Sequence, residues 1–239
     1  NLVERFEVER YNVNVTVAEN LLFGAPLVAE FRPESLPSNA TVMGVLKKSD
    51  LYQDFLHMGY RVAETMCEIF ADVPPESELF EQYSLVNADD LPVFAGILKK
   101  ISSSGDGSID RHQEGQDDGL DDEERALLLA LPFKLIPARH RLGIIDDEMQ
   151  QKLLRARHNL REELGEETDK VTFLDIEKFN TALTVRGNIL FGALVYGQAT
   201  GREKVAVCGY HGWQDWYLAA NLGEQGTENL TGHLLPGLE

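Results

Sequence analysis

The sequence predicts a mainly α-helical chain with a few short strands, an α+β arrangement. Three observations carry this. Apolar residues recur at steps of three and four through 51–69, 89–102 and 146–164, the stripe of amphipathic helices. A stretch of about two helical turns, opened by a capping residue and closed by glycine, occurs twice. Runs rich in β-branched residues are confined to short pieces, Val171-Thr172-Phe173-Leu174 and Lys204–Cys208.

The duplicated stretch reads YNVNVTVAENLLFGAP from Tyr11 to Pro26 and FNTALTVRGNILFGAL from Phe179 to Leu194, at a constant offset of 168 residues. Both copies hold Asn12/Asn180, Thr16/Thr184, Val17/Val185, Asn20/Asn188, Leu22/Leu190 and Phe23-Gly24-Ala25/Phe191-Gly192-Ala193. Thr16 and Glu19 have capping-box spacing, Val17, Leu21 and Leu22 supply an apolar face, and Gly24 with Pro26 stops the helix. An extended segment around Val13 and Val15 leads into it. In the second copy Gly187 replaces the glutamate, so the box is lost, and the missing proline lets that helix run on toward Gly197.

Pro26, Pro33 and Pro37 mark residues 26–48 as loop or short extended pieces. A helix follows with Leu51, Phe55, Met58, Val62, Met66 and Ile69 inward, Asp50 and Gln53 as its cap, and Pro74-Pro75 beyond it. A second spans Asp89 to Ser102. Residues 104–120 form an acidic, glycine-bearing linker that cannot bury enough apolar surface to offset its ordering entropy. Within it Asp106, Ser108, Asp110, His112, Glu114 and Asp117 have EF-hand spacing, but Arg111 stands where the loop needs glycine, so no metal site is assigned. Asp121 and Glu124 cap a leucine-rich helix through Leu131 that Pro132 ends. Lys134, Arg139, His140 and Arg141 form a basic island that balances the acidic linker. A long helix runs from Asp146 through Leu164.

The chain has 239 residues, 43% of them hydrophobic, and a formal charge of −18. Such a charge argues against nucleic acid or anionic membrane as a direct partner. No apolar run approaches the length of about 18 residues that spans a bilayer. Cys67 and Cys208 are too few for a disulfide framework or a metal site.

NVTVAENLLFG and TVRGNILFG resemble the segment beyond the Q-loop of ABC-transporter nucleotide-binding domains, (S/T)-V-x-(E/D)-N-I-x-F-G. The likeness is tight over about sixteen residues twice and looser across 1–198. It implies an ABC-type ATPase with a long insertion, in which this segment leads into the helical subdomain that faces the membrane-embedded partner. Yet the sequence holds no G-x-x-x-x-G-K-(S/T) phosphate loop, no signature motif and no Walker B run. Gly197 to Arg202 is the nearest glycine pair and lacks the Lys-Ser/Thr.

The tail has another character. KVAVCGYHGWQDWYLAANLG reads as a strand, Lys204 to Cys208, and an aromatic turn. It is similar to class III aminotransferases of the glutamate-semialdehyde type, with Gln214 where that family has histidine. The resemblance implies that Tyr210 stacks on pyridoxal phosphate, with His211 and Gly212 completing the motif. A Schiff-base lysine and a pyridinium partner are also required, and would lie beyond Glu239.

The expectation is therefore a cytoplasmic chain of incomplete domains: 1–103 and 121–198 each bearing one motif copy, the linker 104–120 between them, and an aminotransferase-like tail, 199–239. It carries no complete catalytic constellation. ATP with magnesium, or pyridoxal phosphate, belongs to the parent proteins. The expected partner is a transporter's membrane subunit or a second copy of the parent ATPase; a helical adaptor is the alternative outside both families.

Overall fold

The computed structural model describes residues 3–77, 80, 84–103, 119–165 and 168–195. Most of the linker and the whole aminotransferase-like tail, Tyr210, His211 and Gly212 included, lie outside the described residues, as do the six EF-hand-spaced positions. The described part is mainly helical with four short strands: β1 (Val3–Arg5), α1 (Val17–Leu22), β2 (Gly24–Pro26), α2 (Ala40–Lys48), α3 (Tyr52–Phe70), α4 (Leu91–Ser103), α5 (Asp122–Phe133), α6 (Pro137–His140), α7 (Asp147–Leu164), β3 (Val171–Phe173), α8 (Val185–Leu190) and β4 (Gly192–Leu194). The α+β expectation holds.

The helical body is built on α3. Its Phe55, Met58, Val62 and Met66 are all buried, so the expected stripe is real. Each such side chain contributes about 1.5–3 kcal/mol when fully buried. α5 lies across it, with Phe55 and Phe133 ring centroids 5.0 Å apart, edge to face. α4 packs on another side of α3 through Phe94, Ile97 and Ile101. α7 closes the body against α1 and α2, burying Leu153, Leu154, Ala156 and Leu160. Two ion pairs tie α7 to its neighbours, Lys152–Asp54 at 2.9 Å and Lys48–Glu163 at 2.7 Å. Among the described residues no helix is long and apolar enough to cross a membrane.

Several local expectations need correction. Residues 26–48 are not simply loop. After 3-10 turns at Ala29–Phe31 and Leu36–Ser38, the Asn39 side chain accepts hydrogen bonds from the Thr41 and Val42 amides and opens α2. Val42, Val45 and Leu46 then give that helix a buried face that the proline density obscures. Asp50 does not cap α3. It takes φ 54° and terminates α2, with the Leu51 amide reaching back to the Leu46 carbonyl at 2.9 Å in a Schellman closure. Ile69 is 56% exposed, because Phe70 takes the inward place at that end of the helix. Pro132 sits inside the last turn of α5, which Phe133 completes by burying its ring. The caps at Thr16/Glu19 and Asp121/Glu124 form as their spacing predicts, and Asp146 also caps α7, its side chain accepting the Met149 amide.

Candidate functional site

The two motif copies meet, and the geometry of that meeting is the most distinctive feature of the chain. Each copy is organised by a pair of asparagines eight residues apart. In the first, Asn20 Oδ1 accepts the Asn12 amide at 2.9 Å, and Asn20 Nδ2 donates to the carbonyls of Asn12 at 2.8 Å and Thr16 at 3.1 Å. In the second, Asn188 Oδ1 accepts the Asn180 amide at 2.8 Å, and its Nδ2 donates to Asn180 at 2.8 Å and Thr184 at 3.1 Å. One side chain thus pins a turn to the helix that follows it. The first asparagine of each pair folds the turn itself, accepting the amide of Asn14 or Ala182 at 3.0 Å. The approach through Val13 and Val15, expected to be extended, is consequently a turn.

Phe23 and Phe191 end the two helices in the left-handed region, at φ 43° and 40°. The second helix therefore stops at Leu190 and does not run on. Thr184 caps it alone, accepting the Gly187 amide at 3.0 Å, as loss of the capping box predicts.

The strands then exchange. β1, which precedes the first copy, pairs antiparallel with β4, which follows the second, in the register Val3–Leu194 and Arg5–Gly192. β2 pairs with β3 in the matching register, Pro26–Val171 and Gly24–Phe173. Adding the sequence offset of 168 residues converts β1 into β3 and β2 into β4, so the halves are related by a local pseudo-dyad. The hydrogen bonds outside the strands obey it: Phe6 N–H donates to the Phe191 carbonyl and Leu174 N–H to that of Phe23, each at 3.0 Å. The repeat is therefore longer than the sixteen-residue stretch in which the sequences match, running 3–26 and 171–194. The shared glycines are explained here. A Cβ on Gly24 would stand 2.6 Å from Val171 Cγ1 and 2.9 Å from the Thr172 carbonyl oxygen. One on Gly192 would stand 2.8 Å from Val3 Cγ1 and 2.9 Å from the Arg5 Cα.

Where the copies differ is in what covers them. Arg157, in the middle of the apolar stripe of α7, is only 3% exposed. Its Nε donates to the Asn20 carbonyl at 2.7 Å, its Nη1 to the carbonyls of Val8 at 2.7 Å and Arg10 at 3.2 Å, and its Nη2 to Asn20 Oδ1 at 3.1 Å. The guanidinium also lies over the Phe23 ring, 4.3 Å from its centroid. Burial pulls its pKa down to about 10, which Tyr11 and Glu9 partly oppose. It remains a cation at neutral pH. Sequence reasoning missed Arg157, although its place four residues after Leu153 and three before Leu160 puts it, unlike Arg155, on the apolar side of the helix.

The basic island does not converge on a site. Lys134 Nζ donates to the Leu85 carbonyl at 3.3 Å, and His140 Nδ1 accepts the Ile136 amide at 2.9 Å. Leu135, Pro137, His140 and Leu142 line a small cavity of about 250 Å³ beside them. Burial, and then the neighbouring Arg139 charge, push the His140 pKa down to about 4. Unfolded histidine titrates near pH 6.5, so between about pH 4 and 6.5 the unfolded chain binds the extra proton and stability rises with pH. Thermal unfolding from pH 4 to 7 should show a steeper rise for the native chain than for His140→Gln; parallel profiles would refute this.

A polar groove of about 880 Å³ runs between Glu4, Arg5 and Arg10 on one side and Ile189 and Leu190 on the other. Glu4 is engaged there by Asn14 Nδ2 at 2.6 Å and Arg10 at 3.5 Å, and the described lining residues hold no nucleophile–base pair. Among the described residues no three His, Cys, Asp or Glu side chains gather as a metal site. No family model, curated protein or solved structure matches the chain.

Proposed function

We propose that the chain is a non-catalytic segment of an ABC-transporter-type ATP-binding subunit, working at the cytoplasmic face as a contact element toward a membrane-spanning partner. The observation that supports this is the course of the chain after the first motif copy. β2 passes into a helical body, α2 to α7, set between the two copies, as the resemblance implies for a segment entering a helical insertion. Tight self-pairing of the motif copies makes them a frame that holds this body, not a site of chemistry.

The encoding DNA tests the reading. Upstream of Asn1 it should specify a G-x-x-x-x-G-K-(S/T) phosphate loop. An aminotransferase body with a Schiff-base lysine downstream of Glu239, and no phosphate loop upstream, would overturn it. The sequence holds no G-x-x-x-x-G-K-(S/T) pattern to cradle phosphates. Calorimetric titration with Mg-ATP should therefore give no micromolar site, and a saturable one would contradict the non-catalytic assignment.

A further inference from the structure

The pseudo-dyad makes each residue of the first copy a control for its counterpart in the second. Tyr11, Val17 and Leu21 are 4%, 0% and 0% exposed; Phe179, Val185 and Ile189 are 69%, 67% and 77% exposed. The local backbone is the same in both, as the two asparagine pairs and the two left-handed phenylalanines establish. The difference lies in α5 and α7, which pack on α1. Among the described residues no helix covers α8 in that way.

We propose that this face of the second copy docks an amphipathic helix of a partner chain, and that the helix carries a basic dyad headed by an arginine. The chemistry follows from what α7 does on the first copy. Arg157 binds the carbonyls of Val8, Arg10 and Asn20, whose counterparts are the carbonyls of Ile176, Lys178 and Asn188. The next residue, His158, stands 3.3 Å from Glu9, whose counterpart is Glu177. An arginine followed by a second basic residue therefore matches both the carbonyl cluster and the carboxylate. Apolar residues three to four positions either side, like Leu153 and Leu160, match Ile189 and Val185. A guanidinium suits this pocket better than an ammonium, because its fork reaches several acceptors at once.

The inference gives the contact role a surface, but it rests on the internal symmetry and holds whether or not the chain belongs to a transporter. The probe is a labelled synthetic peptide with the sequence of residues 146–165, added in trans to the full chain. Saturable binding is expected, weakened about tenfold or more by Ile189→Asp in the chain and by methionine at the Arg157 position in the peptide. Val93→Asp, at another exposed apolar position, should leave it unchanged. Ile189→Asp lies on the surface, and unchanged circular dichroism will confirm its fold. Binding that ignores Ile189→Asp would mean that the peptide displaces α7 from the first copy, and would overturn the proposal. So would absence of binding, or an Ile189-dependent dimer in sedimentation that excludes the peptide, which would make the occupant a second copy of this chain.

Discussion

Gly59→Ala should lower the urea midpoint of unfolding sharply, while Gly96→Ala should raise it. Both glycines lie inside helices, where alanine is intrinsically favoured by about 1 kcal/mol. Their surroundings decide the sign. Gly96 has nothing within 4 Å of the position a Cβ would take. Gly59 is where α3 and α5 come closest: a Cβ would press on the Leu128 carbonyl oxygen, 2.7 Å from its carbon and 3.2 Å from its Cα. These are backbone atoms in the middle of a helix, so no rotamer change relieves the overlap. The helices would have to separate, loosening the Phe55–Phe133 contact as well. Overpacking of this kind costs about 1–3 kcal/mol and sometimes more, and contact with backbone atoms places it at the upper end, so a net loss of about 1–2 kcal/mol is expected after the propensity gain. An unchanged slope with a shifted midpoint would place the effect in the folded state. A Gly59→Ala midpoint equal to or above the native one would show that α3 and α5 can separate freely.

Gly59 also shows what kind of information the sequence withheld. The stripe of α3 is legible from its spacing, and so are the caps of α1 and α5, because each depends on residues within one or two turns of one another. A glycine inside a helix reads from sequence as a weak spot. Only the crossing of α5, some seventy positions away in the chain, makes it a requirement. α2 is hidden in the sequence for a related reason. Three prolines nearby outweigh a three-residue apolar pattern whose value depends on burial against α7. Asp50 has the sequence position of a cap, ahead of a helix, yet it closes the helix before.

The repeat was visible as a repeat, but its partnership was not. Eight identities within sixteen residues point to two similar helices and give no reason for strand β1 to seek β4. That pairing arises because each copy leaves a strand edge on both sides, and two short strands cannot satisfy their backbones alone. Exchanging edges solves the problem twice with one geometry. β3 is legible from its β-branched run, but β1 is not, because Val3-Glu4-Arg5 and Val171-Thr172-Phe173 share only their first residue. Backbone pairing, which is indifferent to side chains, conserves the shape where the sequence has diverged.

Arg157→Met is expected to be the most destabilising single substitution in the motif frame. Methionine keeps the length and much of the apolar packing of the arginine stem, so the experiment isolates the guanidinium. Its removal strips hydrogen bonds from the carbonyls of Val8, Arg10 and Asn20, and from Asn20 Oδ1. Asn20 is itself 3% exposed, so water does not readily replace the lost donor. Relief of the cost of burying a cation offsets part of this, and a net loss of about 2–4 kcal/mol is expected. Arg157→Lys should recover little, since one ammonium cannot span acceptors on both the turn and the helix end. The damage should also travel. Phe23, under the guanidinium, leads directly into Gly24 and the pairing with β3, and its carbonyl holds the Leu174 amide. Native-state hydrogen exchange should therefore show faster exchange at Asn12 and also at Leu174, in the other half of the frame. Acceleration confined to residues 7–23 would mean that the strand exchange does not couple the two copies.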